Sequence, residues 1–173
     1  MRSTLRLITL SFGALAFVAG CGTSTPAPTA SSGPAPEGAA YLLSEEPAGA
    51  GSVKEARVNS KSDDKVTLVG RIGGDVNPWV ENQAAFLIVD TAMKPCAADE
   101  GCKTPWDYCC DAGDLPANKA MVKVVDSSGK PVAMDARKLL GLKELQTVVV
   151  RGQAQRDDAG NLTILADGHF VRK

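Results

Sequence analysis

Val66-Thr67-Leu68-Val69-Gly70-Arg71-Ile72-Gly73-Gly74 is the stretch that decides the fold. Its larger apolar side chains alternate with smaller or polar ones, the period of a half-buried strand. The paired glycines mark a bulge or sharp bend at its end. Outward from it, residues 84–90 (AAFLIVD) form a near-continuous apolar run of strand length, and residues 120–126 (AMVKVVD) form a third strand. Ser127-Ser128-Gly129-Lys130-Pro131 closes that strand as a turn. Residues 135–145 (DARKLLGLKEL) predict a helix capped by Asp135, with Ala136, Leu139 and Leu140 on one face and Gly141 as its break. Residues 147–155 (TVVVRGQAQ) are a fourth strand. Asp157-Asp158-Ala159-Gly160-Asn161 is a hairpin turn, and residues 162–171 are a fifth strand. In that last strand Leu162, Ile164 and Ala166 share one face, opposite Thr163, Leu165 and Asp167. The expected core is Val66, Leu68, Phe86, Ile88, Val122, Val124, Leu139, Val148, Val150, Leu162 and Ile164.

Five strands with one short helix between the third and fourth make an all-β class whose element order resembles the five-stranded OB-fold barrel. The glycine-rich end of the first strand suits that barrel, where this strand bends to pair with both halves. OB barrels often bind single strands of nucleic acid through a basic groove with stacking aromatics. This chain departs on both counts. Without Arg2 and Arg6 of the leading segment, 17 basic residues face 20 acidic ones, and aromatics are 5% of the chain. Trp79 and Trp106 read as loop residues and Phe86 as a mid-strand one. Nucleic acid is therefore excluded as the expected partner.

The chain begins with Arg2 and Arg6 and no acid, followed by an apolar run over residues 7–18. Twelve residues make about 18 Å of helix, short of a bilayer core, so residues 1–20 read as a signal peptide. The run ends in Val18-Ala19-Gly20-Cys21, which resembles the bacterial lipobox and implies diacylglyceryl transfer to Cys21. Gly22 after the cysteine implies outer-membrane sorting, on its periplasmic face. Residues 22–40 contain only Pro, Ala, Gly, Ser and Thr apart from Glu37. Residues 21–52 thus read as lipidated cysteine and disordered tether, with Tyr41-Leu42-Leu43 as a small apolar anchor and residues 53–173 as the domain. Val53 to Val58 fits a short helix or a lead-in strand.

Cys96, Cys102, Cys109 and Cys110 lie in one insertion, residues 94–117. No C-x-x-C occurs, so the common zinc-ribbon and thioredoxin spacings are missing. An even cysteine count in an exported domain points to disulfides. Adjacent side chains in extended backbone diverge, so Cys109 and Cys110 are expected to pair separately with Cys96 and Cys102, in either combination. The alternative reading is a four-thiolate site for zinc or copper. Asp99, Glu100, Asp107, Asp111 and Asp114, set against Lys94 and Lys103, attract cations but oppose thiolate formation. Trp106 and Tyr108 read as packing on this segment, with a partner-binding surface as the alternative.

His169, the one histidine, reads as a solvated strand residue. Asp63-Asp64 and Asp157-Asp158 read as turn residues rather than calcium ligands. Asn161-Leu162-Thr163 is a sequon without use in a bacterial lipoprotein, and Ser127-Ser128-Gly129-Lys130 lacks the context of a phosphate loop. No catalytic or cofactor-binding constellation is legible. The expected function is a non-enzymatic binding or structural module facing another envelope protein, a glycan or a small ligand. The alternative is a metal-binding or redox protein centred on the four cysteines. The lipobox, the tether, VGRIGG, FLIVD, TPWDYCC and DARKLLGLKEL together resemble a group of bacterial lipoproteins with an exported OB-like domain, a resemblance that implies no activity. Cells grown with a radiolabelled fatty acid should label the wild-type chain, and Cys21→Ser should abolish the label; label surviving that change would reject lipidation.

Overall fold

The computed structural model describes residues 33–173; the lipobox, Cys21 and the start of the tether lie outside the described residues. Seven strands form one sheet: β1 (Gly51–Ser52), β2 (Lys65–Ile72), β3 (Trp79–Val80), β4 (Ala85–Val89), β5 (Lys119–Val124), β6 (Thr147–Arg156) and β7 (Leu162–Val171). Their order is β1-β2-β6-β7-β5-β4-β3, and an additional β2–β4 pairing closes five of them into a barrel. β5 and β7 are parallel. The other barrel pairs are antiparallel. This is the all-β OB-fold-like barrel expected from element order.

Closure rests on β2. Lys65 through Arg71 pair with β6, and Arg71 and Ile72 pair with β4. The inward faces of the strands and α3 (Ala136–Leu140) bury one apolar cluster. Every expected core residue belongs to it; Val66 alone is only half-buried. Asp135 caps α3 by accepting a hydrogen bond from the Arg137 N–H, and Gly141 ends it at φ 68°. Among the described residues no helix is long and apolar enough to cross a membrane.

Three sequence readings are corrected. The segment assigned to the tether is ordered from Pro34 on. A 3-10 turn (Pro36–Tyr41) lies against α3, the Leu43 N–H donates to the His169 carbonyl (2.8 Å), and Gly51–Ser52 pair in parallel with Leu68 and Val69. Small side chains let this backbone approach the barrel closely, a contact that apolar bulk does not reveal. Of the two readings of Val53 to Val58 the helix holds: Val53–Asn59 is α1, opened by a capping box between Ser52 and Glu55. Trp79 is not a loop residue: it sits in β3, buried against Phe86, with its indole N–H donating to Glu144 (2.6 Å).

His169 is buried, not solvated. In β7, Gly168 lies opposite Arg151 and Ala166 opposite Gly152, which leaves Asp167 as an extra residue. One inserted residue reverses the alternation, so His169 comes to the face of its partner Val150, a core residue.

Leu139 is fully buried in the barrel cluster. Leu139→Ala should lower unfolding stability by about 2–5 kcal/mol, read from denaturant midpoints at unchanged slope.

Candidate metal centre

The insertion between β4 and β5 carries three single-turn 3-10 helices, Ala98–Glu100, Pro105–Asp107 and Cys109–Asp111, and the short helix α2 (Leu115–Asn118). It docks on the end of β2. The Gly74 N–H donates to the Trp106 carbonyl (2.7 Å). A side chain on Gly73 would place its Cβ 2.4 Å from that oxygen, and Gly74 stands at φ 91°. The bend read from the two glycines is therefore also the seat of the insertion. Tyr108 is fully buried with Val89, Leu115 and Met93 in a small second cluster. Arg71 donates to the Met93 carbonyl (2.9 Å) and lies 3.4 Å from the Tyr108 hydroxyl. The Trp106 indole N–H donates to the Val76 carbonyl (3.1 Å). Tyr108 thus serves packing, and Trp106 ties the insertion to the 73–76 loop by hydrogen bonds.

Tyr108 adopts φ 58° between two 3-10 turns, which reverses the chain directly before Cys109. Asp107 holds that reversal by accepting from the Thr104 hydroxyl (2.6 Å) and the Cys109 N–H (2.9 Å). The hydroxyl bond of Thr104, and then the Cys109 N–H, keep its carboxyl below the ordinary range. This Thr-x-x-Asp pair, Arg71 and the two glycines were not read as site residues. Pro105 following Thr104 was the available signal of a tight helical turn.

The outcome is convergence. All four sulfurs lie within 4.8 Å of one another. Cys102 and Cys109 are 3.1 Å apart, Cys102 and Cys110 3.6 Å, and Cys96 and Cys109 3.7 Å. A disulfide needs about 2.05 Å, so no pair is bonded in this structure, and the expected disulfides are not formed in it. The chain reversal at Tyr108 turns Cys109 and Cys110 toward the same two partners, whereas the extended backbone assumed for them separates neighbours. Cys96 is buried, Cys102 half-buried, and Cys109 and Cys110 are exposed.

The cluster distributes its protons unevenly. The Cys110 backbone N–H beside the Cys96 sulfur holds that thiol below its ordinary range. Cys109 shares its proton with the sulfur of Cys102 and then that of Cys96, and is pushed up to about 12. Cys110 is raised by the same two sulfurs, Cys102 ahead of Cys96. Four thiolates this close repel one another unless a cation replaces the shared protons.

Glu100 lies 3.4 Å from the Cys110 sulfur, whereas the turn aspartates bond elsewhere. Asp157 accepts from the N–H and side-chain amide of Asn161. Asp64 accepts from the Lys61 N–H, and Asp126 closes the 127–130 turn. Comparison with known protein families, curated proteins and solved structures finds no match.

Gly73→Ala should unseat the insertion and leave the barrel closed. Hydrogen exchange in residues 94–117 should rise while β6 keeps its protection; equal loss in both would show that the insertion holds the whole domain.

Proposed function

We propose that this chain is a lipid-anchored protein of the bacterial cell envelope whose OB-type barrel presents a four-cysteine centre for zinc or copper(I). The observation that carries this reading is the convergence of the Cys96, Cys102, Cys109 and Cys110 sulfurs into one set. Four ligands about 2.3 Å from a tetrahedral zinc stand roughly 3.8 Å from one another. The contacts of 3.6 and 3.7 Å are close to that edge. The 3.1 Å contact is shorter than that edge. Two separate disulfides need two separate pairs. Cys96–Cys109 and Cys102–Cys110 lie at 3.7 and 3.6 Å, but the shortest contact, Cys102–Cys109 at 3.1 Å, joins them into one set, an arrangement suited to one shared central ion.

Thiolates select soft ions, which favours zinc and copper(I) over magnesium or calcium. All four positions of a tetrahedral ion are filled by protein, the pattern of a structural rather than a catalytic zinc. We read the protein accordingly as a non-enzymatic module, its exposed rim ordered by the metal. The lipobox and the Pro/Ala-rich stretch after it support the envelope placement.

Protein purified from the envelope without chelator should contain about one zinc or copper per chain, and four thiols should react once it is denatured with chelator. Cys109→Ser should weaken metal affinity by more than about 100-fold. Metal-free protein with no reactive thiols would reject the centre and reinstate paired disulfides.

A further inference from the structure

The segment 34–43 crosses the barrel beside α3 and the end of β7, far from the insertion in sequence. The Ala35 N–H donates to the Lys138 carbonyl (2.9 Å), and Gly38 lies so near that a Cβ there would stand 1.8 Å from the Leu139 oxygen. Beneath this strap lies His169, 2% exposed. Its Nδ1 is 2.9 Å from the Tyr41 carbonyl. A carbonyl only accepts, so the neutral ring carries its proton on Nδ1 and leaves Nε2 as a bare acceptor. Nε2 is shut off from solvent and has no partner. Beside the ring is a cavity of about 180 Å³ lined by Pro34, Ala35, Pro36, Ala39, Leu42 and Leu140. None of these offers a side-chain acceptor to an N–H on Nε2.

The charged groups of the surrounding elements do not compensate. On α3, Arg137 pairs with Asp135 and Lys138 is exposed. On the strap and its continuation Glu37 and Glu45 are exposed, and Glu46 pairs with Arg172 of the C-terminus. Between β6 and β7, Arg151 pairs with Asp167. The Tyr41 ring packs on the core cluster.

We propose that residues 34–43 form an acid-released strap: a proton on His169 Nε2 expels the segment from the barrel, which itself stays closed. A second proton makes Nε2 a donor and puts a full charge at a buried atom that no described residue pairs. The ring relieves this only by gaining solvent, and the strap is what covers it. Burial holds the docked imidazole below its ordinary range, opposed in part by the Tyr41 carbonyl. The released ring returns to the ordinary value near 6.5. Docking is therefore complete above about pH 6.5 and is lost as pH falls from there toward the docked value, by up to about tenfold per pH unit. Release adds ten residues, roughly 33 Å when extended, to the chain preceding the barrel. The inference is independent of the metal centre, because no cysteine takes part.

The test uses the full chain in detergent micelles. Hydrogen exchange, corrected for its intrinsic pH dependence, should show protection of residues 34–43 falling by about tenfold or more between pH 7.5 and 5, with β6 protected throughout. His169→Gln should keep the strap protected at both values. A strap equally protected at pH 5, or one lost equally in His169→Gln, would overturn the proposal. If that variant does not fold, the Cε1 resonance of the one histidine decides the matter in the wild type. Titration below the ordinary range, coincident with strap release, supports the switch. Titration near 6.5 with the strap still protected refutes it.

Discussion

The barrel depends on one strand meeting two partners. β2 gives its first seven residues to β6 and its last two to β4, with Arg71 shared between them. A five-stranded sheet that fails at this point has two open edges and a half-exposed core. The crossing is tight. A Cβ on Gly70 would stand 2.9 Å from Ile88, so a side chain there would push β2 off β4. Directly beyond the crossing the Gly73 N–H donates to the Leu87 carbonyl (3.2 Å), and the Gly74 N–H to Trp106. Barrel closure and seating of the cysteine insertion are therefore two consequences of the same few backbone groups.

This linkage gives the insertion a firm base and a soft rim. Tyr108 is anchored among Val89, Leu115 and Met93, next to the barrel wall. Outward of it the 3-10 turns bury little apolar surface, and Cys109 and Cys110 face solvent. Such a segment orders only if something other than apolar burial offsets the entropy of its backbone. Asp107 does part of this by holding Thr104 and Cys109. The Cys96 N–H adds a hydrogen bond to the Pro105 carbonyl (3.0 Å), and the sulfur contacts span the loop beside it. The barrel strands contain no cysteine, so they rely on none of this.

The five barrel strands and α3 were legible because alternation and capping are local signals, as in Val66–Ile72 and in Asp135 with Leu139 and Leu140. The order of elements was enough for the barrel. The cysteine geometry was legible only as a residue set, because convergence hinges on Tyr108 adopting a left-handed backbone, which residue spacing does not encode. Two of the corrected readings failed for opposite reasons. His169 lies one residue past a bulge, and strict alternation carried across Asp167 places it on the wrong face. Residues 34–40 look like tether because their composition lacks apolar bulk, yet the Ala35 N–H donates to the Lys138 carbonyl and Gly38 lies against Leu139, ahead of the Tyr41-Leu42-Leu43 anchor read from the sequence.

The buried polar groups separate structural from responsive parts of the molecule. Asp90 is nearly as buried as His169, and its carboxylate accepts from the N–H groups of Lys54 and Ala92 (both 2.9 Å), tying α1 to the end of β4. Asn118, also buried, donates from its side chain to the Asp114 carbonyl, while its own carbonyl accepts from the Asp90 N–H. Arg156 donates to the carbonyls of Ala56, Arg57, Ser60 and Gly160, closing the end of α1 against the β6–β7 turn. Each of these groups is paired, so each gains from the fold as it stands. His169 is the exception among the described residues: it is half-satisfied, titratable, and covered by a segment outside the barrel strands. A buried group left short of a partner costs stability in the closed state and gains most from opening. Its position under the strap, rather than inside the closed strands, confines that opening to a part of the chain the barrel does not need.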